Sequence, residues 1–279
     1  GYRGVEKSIE DSEQWLPVLK KTPTIADLQP AVVVSTEALS LNILLADGTN
    51  HSIGQQNGLQ NLGKFISPDR ISSPIKSADE LFKPGDLIRV SLDSEGNYQL
   101  SQLPEAEGAI IALAPDDGAI RAISGGFDFN KSKFNRATQA LRQPGSNFKP
   151  FIYTTALENG FTAASIINDA PVVFDDNKLE SYWRPENDSG KFYGPTRLRK
   201  ALYLSRNLVS IRVLRSLGTS KAIEGLARFG FEGENLPRDL SLILGSHSTT
   251  PINIATGYAT FANGGYRVEP YLISHITDY

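Results

Sequence analysis

The sequence predicts a mixed α/β (α+β) chain in two parts, a small all-β module followed by a larger domain of helices around a sheet. Three observations carry this. Short alternating β-type runs separated by turn signals fill residues 30–105. Two further runs of that kind open a new unit near Gly108. From Ser146 onward apolar residues recur at helical spacing, with Gly at the stops.

Residues 1–29 are polar and charged, with Trp15-Leu16-Pro17 as their apolar anchor, and are expected to form a linker or strap. Ala31–Ser35, Ala38–Leu45 and Asp86–Leu92 have strand composition, and Asp47-Gly48, Pro84-Gly85-Asp86 and Glu95-Gly96-Asn97 mark turns. Several short strands in so small a span suggest a barrel of the OB type over residues 30–105. Ala109–Leu113 and Ala119–Ile123 read as a hairpin around Pro115-Asp116-Asp117-Gly118, opening a domain over 106–279. A helix is expected from about Ser146 to Asn159-Gly160, then a loop-rich stretch from Asp169 to Tyr193. Further helices are expected through Leu198, Ala201 and Leu202, through Val209 to Leu217 with a stop at Gly218, from a Ser220 cap to Gly230, and from Ile252 to Phe261.

Composition removes several function classes. The 279 residues are 40% hydrophobic and 21% charged, as in an ordinary globular protein, and the net charge of −3 makes no electrostatic case for nucleic acid. No apolar run is long enough to span a membrane, and no signal peptide is visible. Cysteine is absent, which removes disulfides and thiolate chemistry and fits export. His51, His247 and His275 stand in no metal-ligand spacing, so neither a metal nor another cofactor is expected. The chain begins Gly1-Tyr2 and contains no Met, and is read as a piece of a longer protein.

The most informative stretch is Arg142-Gln143-Pro144-Gly145-Ser146-Asn147-Phe148-Lys149-Pro150. It sets a hydroxyl three residues before an amine at a helix start, and positions i and i+3 share a helix face. A hydroxyl becomes a useful nucleophile when a neighbouring base takes its proton, and a neutral lysine serves. That lysine's pKa must fall well below about 10.4, by burial or a nearby cation. About one S-x-x-K is expected by chance in such a chain, and Ser73-Pro74-Ile75-Lys76 is read as a decoy because no apolar helix follows it. Pro144-Gly145 turns the chain before Ser146, and Pro150 pins the helix start nearby. The serine then faces the positive end of the helix dipole. Local features leave open the alternative of a capping serine and a solvated lysine. A second element, Ser205-Arg206-Asn207, follows between two expected helices and would aim a hydroxyl and an amide into a cleft. The order S-x-x-K, then S-x-N in the same domain, is informative; Ser40-Leu41-Asn42 repeats the second pattern inside a strand.

Gly125-Gly126 and Phe134–Phe151 resemble the nucleophile region of class A penicillin-binding proteins. Leu202–Val213 resembles their second motif, and Phe261–Tyr266 the helix end before their third. The Gly1–Gly4 start and the inserted β module are most similar to the Gram-negative 1A type. The resemblance implies a penicillin-binding transpeptidase fold, with a central mostly antiparallel sheet, helices on both sides and an OB-like insert. It implies a D,D-transpeptidase that cross-links peptidoglycan stem peptides and takes β-lactams as covalent ligands; the β module, neither basic nor rich in aromatics, is read as a spacer or as a docking module for cell-wall synthesis partner proteins. It places the chain on the periplasmic side of the inner membrane, with residues 1–29 linking to an upstream glycosyltransferase domain and anchor. In it Ser146 is the acylated nucleophile, Lys149 its base, Ser205 the proton relay to the leaving D-alanine, and Asn207 a donor to the peptide amide. The Ser146 N–H is one oxyanion donor; the other belongs to a third motif, K-[ST]-G, expected after Tyr279. Neither Lys21-Thr22-Pro23 nor Lys131-Ser132-Lys133 fits it.

Two other functions compete. A β-lactamase would carry E-x-x-L-N, which does not occur, and a non-catalytic binding module would leave the serine inert. Trp183-Arg184-Pro185-Glu186-Asn187 either walls the cleft or anchors a long loop, and Glu186 is a weak candidate base. Ser246, His247 and Ser248 are read as loop residues, since no G-x-S-x-G elbow occurs. Arg197, Arg199, Lys200, Arg206, Arg212 and Arg215 are read mostly as a solvated helix face, with attraction of acidic groups of the cell-wall substrate as the alternative for some of them.

Overall fold

The computed structural model describes residues 1–172, 183–232 and 236–278, so part of the expected loop between Asp169 and Tyr193 lies outside the described residues. The chain divides into two units, residues 1–107 with 126–133, and residues 108–125 with 134–279.

The first unit is built on one antiparallel sheet. Its elements are β1 (Lys7–Ser8), α1 (Trp15–Lys21), β2 (Gln29–Glu37), β3 (Ser40–Leu45), β4 (Asn50–Ile53), the small pair β5 (Phe65–Ser67) and β6 (Arg70–Ile71), β7 (Asp86–Leu92) and β8 (Tyr98–Ser101). The sheet runs β7-β2-β3-β4, with β1 and β8 both pairing β7. His51 of β4 and Tyr98 of β8 stack edge to face at 4.7 Å, which brings the ends of the sheet together as an OB-like curl. β2 and β7 are buried on both faces, which explains their unbroken apolar runs. Val33, Ile88 and Val90 enter the main core with Leu41, Ile43 and Phe82, while Val32 and Leu87 pack with Leu19 of α1. The opening residues, expected as a linker or strap, are folded into this unit. Tyr2 is buried in the core against Phe82. Arg89 of β7, itself buried, donates to both Glu6 carboxylate oxygens and to the carbonyls of Pro23 and Leu28. β4 and β8 were not expected, because four-residue polar strands carry little periodic signal.

The second unit opens with β9 (Ile110–Leu113) paired antiparallel to β10 (Ile120–Ser124). Then follow α2 (Lys149–Glu158), β11 (Ile166–Asp169), β12 (Gly194–Arg197), α3 (Leu198–Tyr203), α4 (Asn207–Leu217), α5 (Thr219–Ala227) and α6 (Pro251–Ala262). Among the described residues its sheet structure is two antiparallel pairs, β9 with β10 and β11 with β12. α2 is buried over most of its length, Lys149 and Thr155 included, as a central helix should be. Phe151, Ile152, Tyr153 and Ala156 are buried among residues of α4 and α5, together with Phe229 and Phe231. The expected Ser220 cap is not one. Gly218 occupies that place at φ +87 without a side-chain cap, because the helix begins two residues earlier than a Ser220 cap requires, at Thr219. Thr250 does cap α6, its side chain accepting from the Asn253 N–H.

Candidate active site

Ser146 lies in a single 3₁₀ turn, Gly145–Phe148, that runs directly into α2 at Lys149. The expected helix therefore starts three residues later than Ser146 as an α-helix. In 3₁₀ geometry side chains at i and i+3 eclipse, so Ser146 and Lys149 keep one face. Ser146 is exposed, and its hydroxyl has no hydrogen-bond partner among the described residues; Lys149 is 1% exposed. The turn is held from beneath. Arg142 and Thr249 exchange backbone hydrogen bonds of 2.9 and 3.0 Å, the Gln143 amide donates to Ser246 O, and the Tyr258 hydroxyl donates to Asn147 O. The Gly145 N–H donates to Gly245 O at 3.3 Å, and a Cβ on Gly245 would lie 2.2 Å from Gly145 O. Gly245 also has φ +67, so close approach and left-handed backbone both require glycine there. Phe148 fixes the turn to the core, edge to face with Phe231 and with buried His247.

Lys149 points its ammonium at the second motif. Nζ donates to Ser205 O at 2.9 Å, to Ser205 Oγ at 2.9 Å and to Asn207 Oδ1 at 2.7 Å. Burial pushes its pKa down from the usual lysine range to about 8. Ser205 follows α3 at φ +53, a left-handed conformation that costs an L-residue about 1–2 kcal/mol. That conformation turns both its carbonyl and its hydroxyl toward one ammonium, so the strain sits where it sets geometry. Asn207 opens α4. Since an ammonium only donates, the Asn207 oxygen must face Lys149, and its amide nitrogen then donates to Glu186 O at 2.9 Å.

The structure thus brings Lys149, Ser205 and Asn207 into hydrogen-bond contact and sets Ser146 one turn away. The decoy Ser73 and Lys76 lie in irregular chain, both exposed. Glu186 contributes its carbonyl rather than its carboxylate. Trp183 is half-buried and packs on the core of the second unit. Two members of the expected solvated basic face are engaged instead. Arg206 stacks on Tyr193 with 3.5 Å to the ring centroid, and Arg212 donates to the carbonyls of Ala170 and Pro171. Sequence reasoning named Asp169 only as a loop boundary and Asn187 only as the end of the 183–187 segment, and missed that both are buried behind the second motif. An Asp and an Asn in a polar loop look like turn residues, and only their folded partners distinguish them. Among the described residues, no group of three or more His, Cys, Asp or Glu is placed to hold a metal. No helix is long and apolar enough to cross a membrane, again among the described residues.

Residues 108–279 match the family described as penicillin binding protein transpeptidase domain, and residues 2–106 match the penicillin-binding protein OB-like domain. Penicillin-binding protein 1A of Pseudomonas aeruginosa is 45% identical over 99% of this chain and 34% of its own length. That of Escherichia coli is 40% identical over 99% of this chain and 33% of its own. The chain thus spans about a third of these relatives. The crystal structure of penicillin-binding protein 1A from Haemophilus influenzae superposes with a TM-score of 0.83 and 36% identity, covering 100% of this chain and 40% of that one. PonA1 of Mycobacterium tuberculosis in complex with penicillin V superposes with a TM-score of 0.52 at 25% identity, over 60% of this chain and 47% of that one. With both parts of the chain matched and the serine–lysine turn facing the Ser205–Asn207 element in one fold, the chain belongs to the penicillin-binding protein transpeptidase family.

Proposed function

We propose that this chain carries a penicillin-sensitive D,D-transpeptidase site that cross-links peptidoglycan stem peptides through an acyl-serine intermediate. The observation that carries the reading is the buried Lys149, with its pKa lowered to about 8 and its Nζ bound to Ser205 and Asn207, one turn from an exposed Ser146. Neutral Lys149 takes the Ser146 proton as Oγ attacks the carbonyl carbon of the penultimate D-alanine. The C–N bond to the terminal D-alanine breaks, and the proton passes through the Ser205 hydroxyl to the leaving amine. An acceptor amine then attacks the ester and releases Ser146. The Ser146 N–H, at the start of the 3₁₀ turn, is placed by sequence as an oxyanion donor. Asn207 retains a second amide hydrogen to offer the donor peptide. A β-lactam follows the same first step, but its leaving nitrogen stays tethered and the acyl-enzyme persists. PonA1, a neighbour in fold, is in complex with penicillin V, which supports this ligand class. Every step is acyl or proton transfer and calls on no cofactor.

The substrate lies outside the cytoplasm, so the site works on the periplasmic face of the inner membrane. The parent protein pairs it with a glycosyltransferase domain, and its OB-like domain docks other cell-wall synthesis proteins. Labelling of the natural full-length protein with a fluorescent penicillin tests the site. Stable label is expected in the wild type and none in Ser146→Ala. Label retained by the alanine variant overturns the assignment of the nucleophile. Rapid release of label would instead indicate a hydrolase, and an unlabelled wild type an inert binding module.

A further inference from the structure

Behind the second motif lies a buried polar assembly that touches neither Ser146 nor Lys149. Asn187 is 4% exposed and Asp169 is 0% exposed. The Asn187 amide nitrogen donates to Asp169 Oδ1 at 2.8 Å and to Lys191 O at 2.9 Å. Its oxygen accepts from the Leu208 N–H at 3.4 Å, an otherwise unmatched donor in the first turn of α4. One side chain therefore ties the end of β11, its own loop and the start of α4. The residue before it supplies the carbonyl to which Asn207 donates. On the far side Arg206 Nε stands 4.0 Å from Asp169 Oδ2, an oxygen without a hydrogen-bond partner. Arg212 is the other cation near Asp169, and its guanidinium goes to the carbonyls of Ala170 and Pro171.

We propose that Asn187, anchored on Asp169, is a positioning residue for acylation: it sets the Glu186 carbonyl that orients the Asn207 amide, and through Asn207 it holds the Lys149 amine toward Ser146. The inference rests on the transpeptidase reading. The physical reason is one of degrees of freedom. The Asn207 carboxamide is fixed at both ends, by Lys149 Nζ at 2.7 Å and by Glu186 O at 2.9 Å. Releasing the loop leaves the amide free to rotate, and Lys149 then loses one of its three acceptors. Among the described residues no ionised side chain pairs with Lys149 Nζ, so these neutral acceptors are what favours its charged form against burial. A slackened Asn207 therefore lowers the affinity of Lys149 for its proton and misplaces the base together.

Those effects separate positioning from bulk stability. In the natural full-length protein, β-lactam acylation is followed by stopped flow across pH for the wild type, Asn187→Ala and Asp169→Asn. Asn187→Ala is expected to cut the acylation rate constant about tenfold or more at unchanged noncovalent affinity, and to move the midpoint of the pH profile to lower pH. Asp169→Asn keeps an acceptor for the Asn187 amide and should retain the wild-type midpoint. A wild-type midpoint in Asn187→Ala overturns the inference, whether or not the rate falls, because loss of folded protein lowers amplitude without moving a midpoint. If Asn187→Ala does not fold, Asn187→Ser, which cannot bridge all three partners, is read by the same criterion. Failure of the transpeptidase reading is distinguishable, since the wild type itself then gives no acylation to titrate.

Discussion

Lys149 meets two opposed demands. Burial destabilises its ammonium and pushes the pKa down to about 8, while its hydrogens go to three oxygen acceptors, which favour the charged form. In the proposed mechanism only the neutral amine can take the Ser146 proton, so the sign of the pH dependence follows. Below pH 8 the acylation rate should rise about tenfold per pH unit, then level off above it. Lys149→Arg keeps its charge at every accessible pH and should lose acylation by at least about 10²-fold, with no rising limb left to measure. Stopped-flow acylation from pH 6 to 10 checks both. Ser205 shows how far residue types can be read without structure. Its hydroxyl was legible as part of S-x-N, but the left-handed backbone that turns two of its oxygens onto Lys149 was not. Serine has no marked preference for that region, so its φ is imposed by the end of α3 and the start of α4.

At the scale of elements, the Ser146 turn is stable because another backbone lies against it. Gly245→Ala should be severe, since the new Cβ meets Gly145 O and alanine must adopt φ +67. A loss of about 2–3 kcal/mol and slowed acylation are expected. Gly218→Ala separates strain from contact: nothing lies within 4 Å of the new Cβ, but φ +87 with ψ 139 lies outside the left-handed well, so about 1–3 kcal/mol of strain and normal acylation are expected. Thermal melts beside penicillin labelling decide whether the close approach or the strain matters. β7, α4 and α6 were legible from composition and periodicity with their glycine or asparagine stops. The expected helix start near Ser146 matches the 3₁₀ turn Gly145–Phe148, and only the change to α geometry at Lys149 was not legible, because Pro150 is compatible with either a 3₁₀ or an α first turn. Ser220 was misjudged because a cap depends on which residue leaves helical φ/ψ, and Gly218 does so first.

At the scale of the molecule, each unit carries its own core, and the site stands on the second. Phe151, fully buried, packs against Phe148, Phe229, Phe231, Tyr258 and Phe261, so it links the nucleophile turn to the aromatic floor under α6. Phe151→Ala should cost about 3–5 kcal/mol in denaturant unfolding, a large share of ordinary domain stability, and should weaken acylation through the turn above it. Unfolding that is unchanged would show that this cluster does not support the fold.

The sequence by itself determined the all-β module before a helical domain, the alternation of strand and helix, and the four residue types that the proposed chemistry calls on. These are local properties: periodicity, turn chemistry and motif spacing are written along the chain. The tertiary structure alone decided that Lys149 is buried, that Ser205 and Asn207 supply its acceptors, that Gly245 seats the nucleophile turn, and that Asp169 and Asn187 brace the second motif. A pKa is set by desolvation and by oxygens brought from distant segments, and no pattern along a single segment records which oxygens those will be.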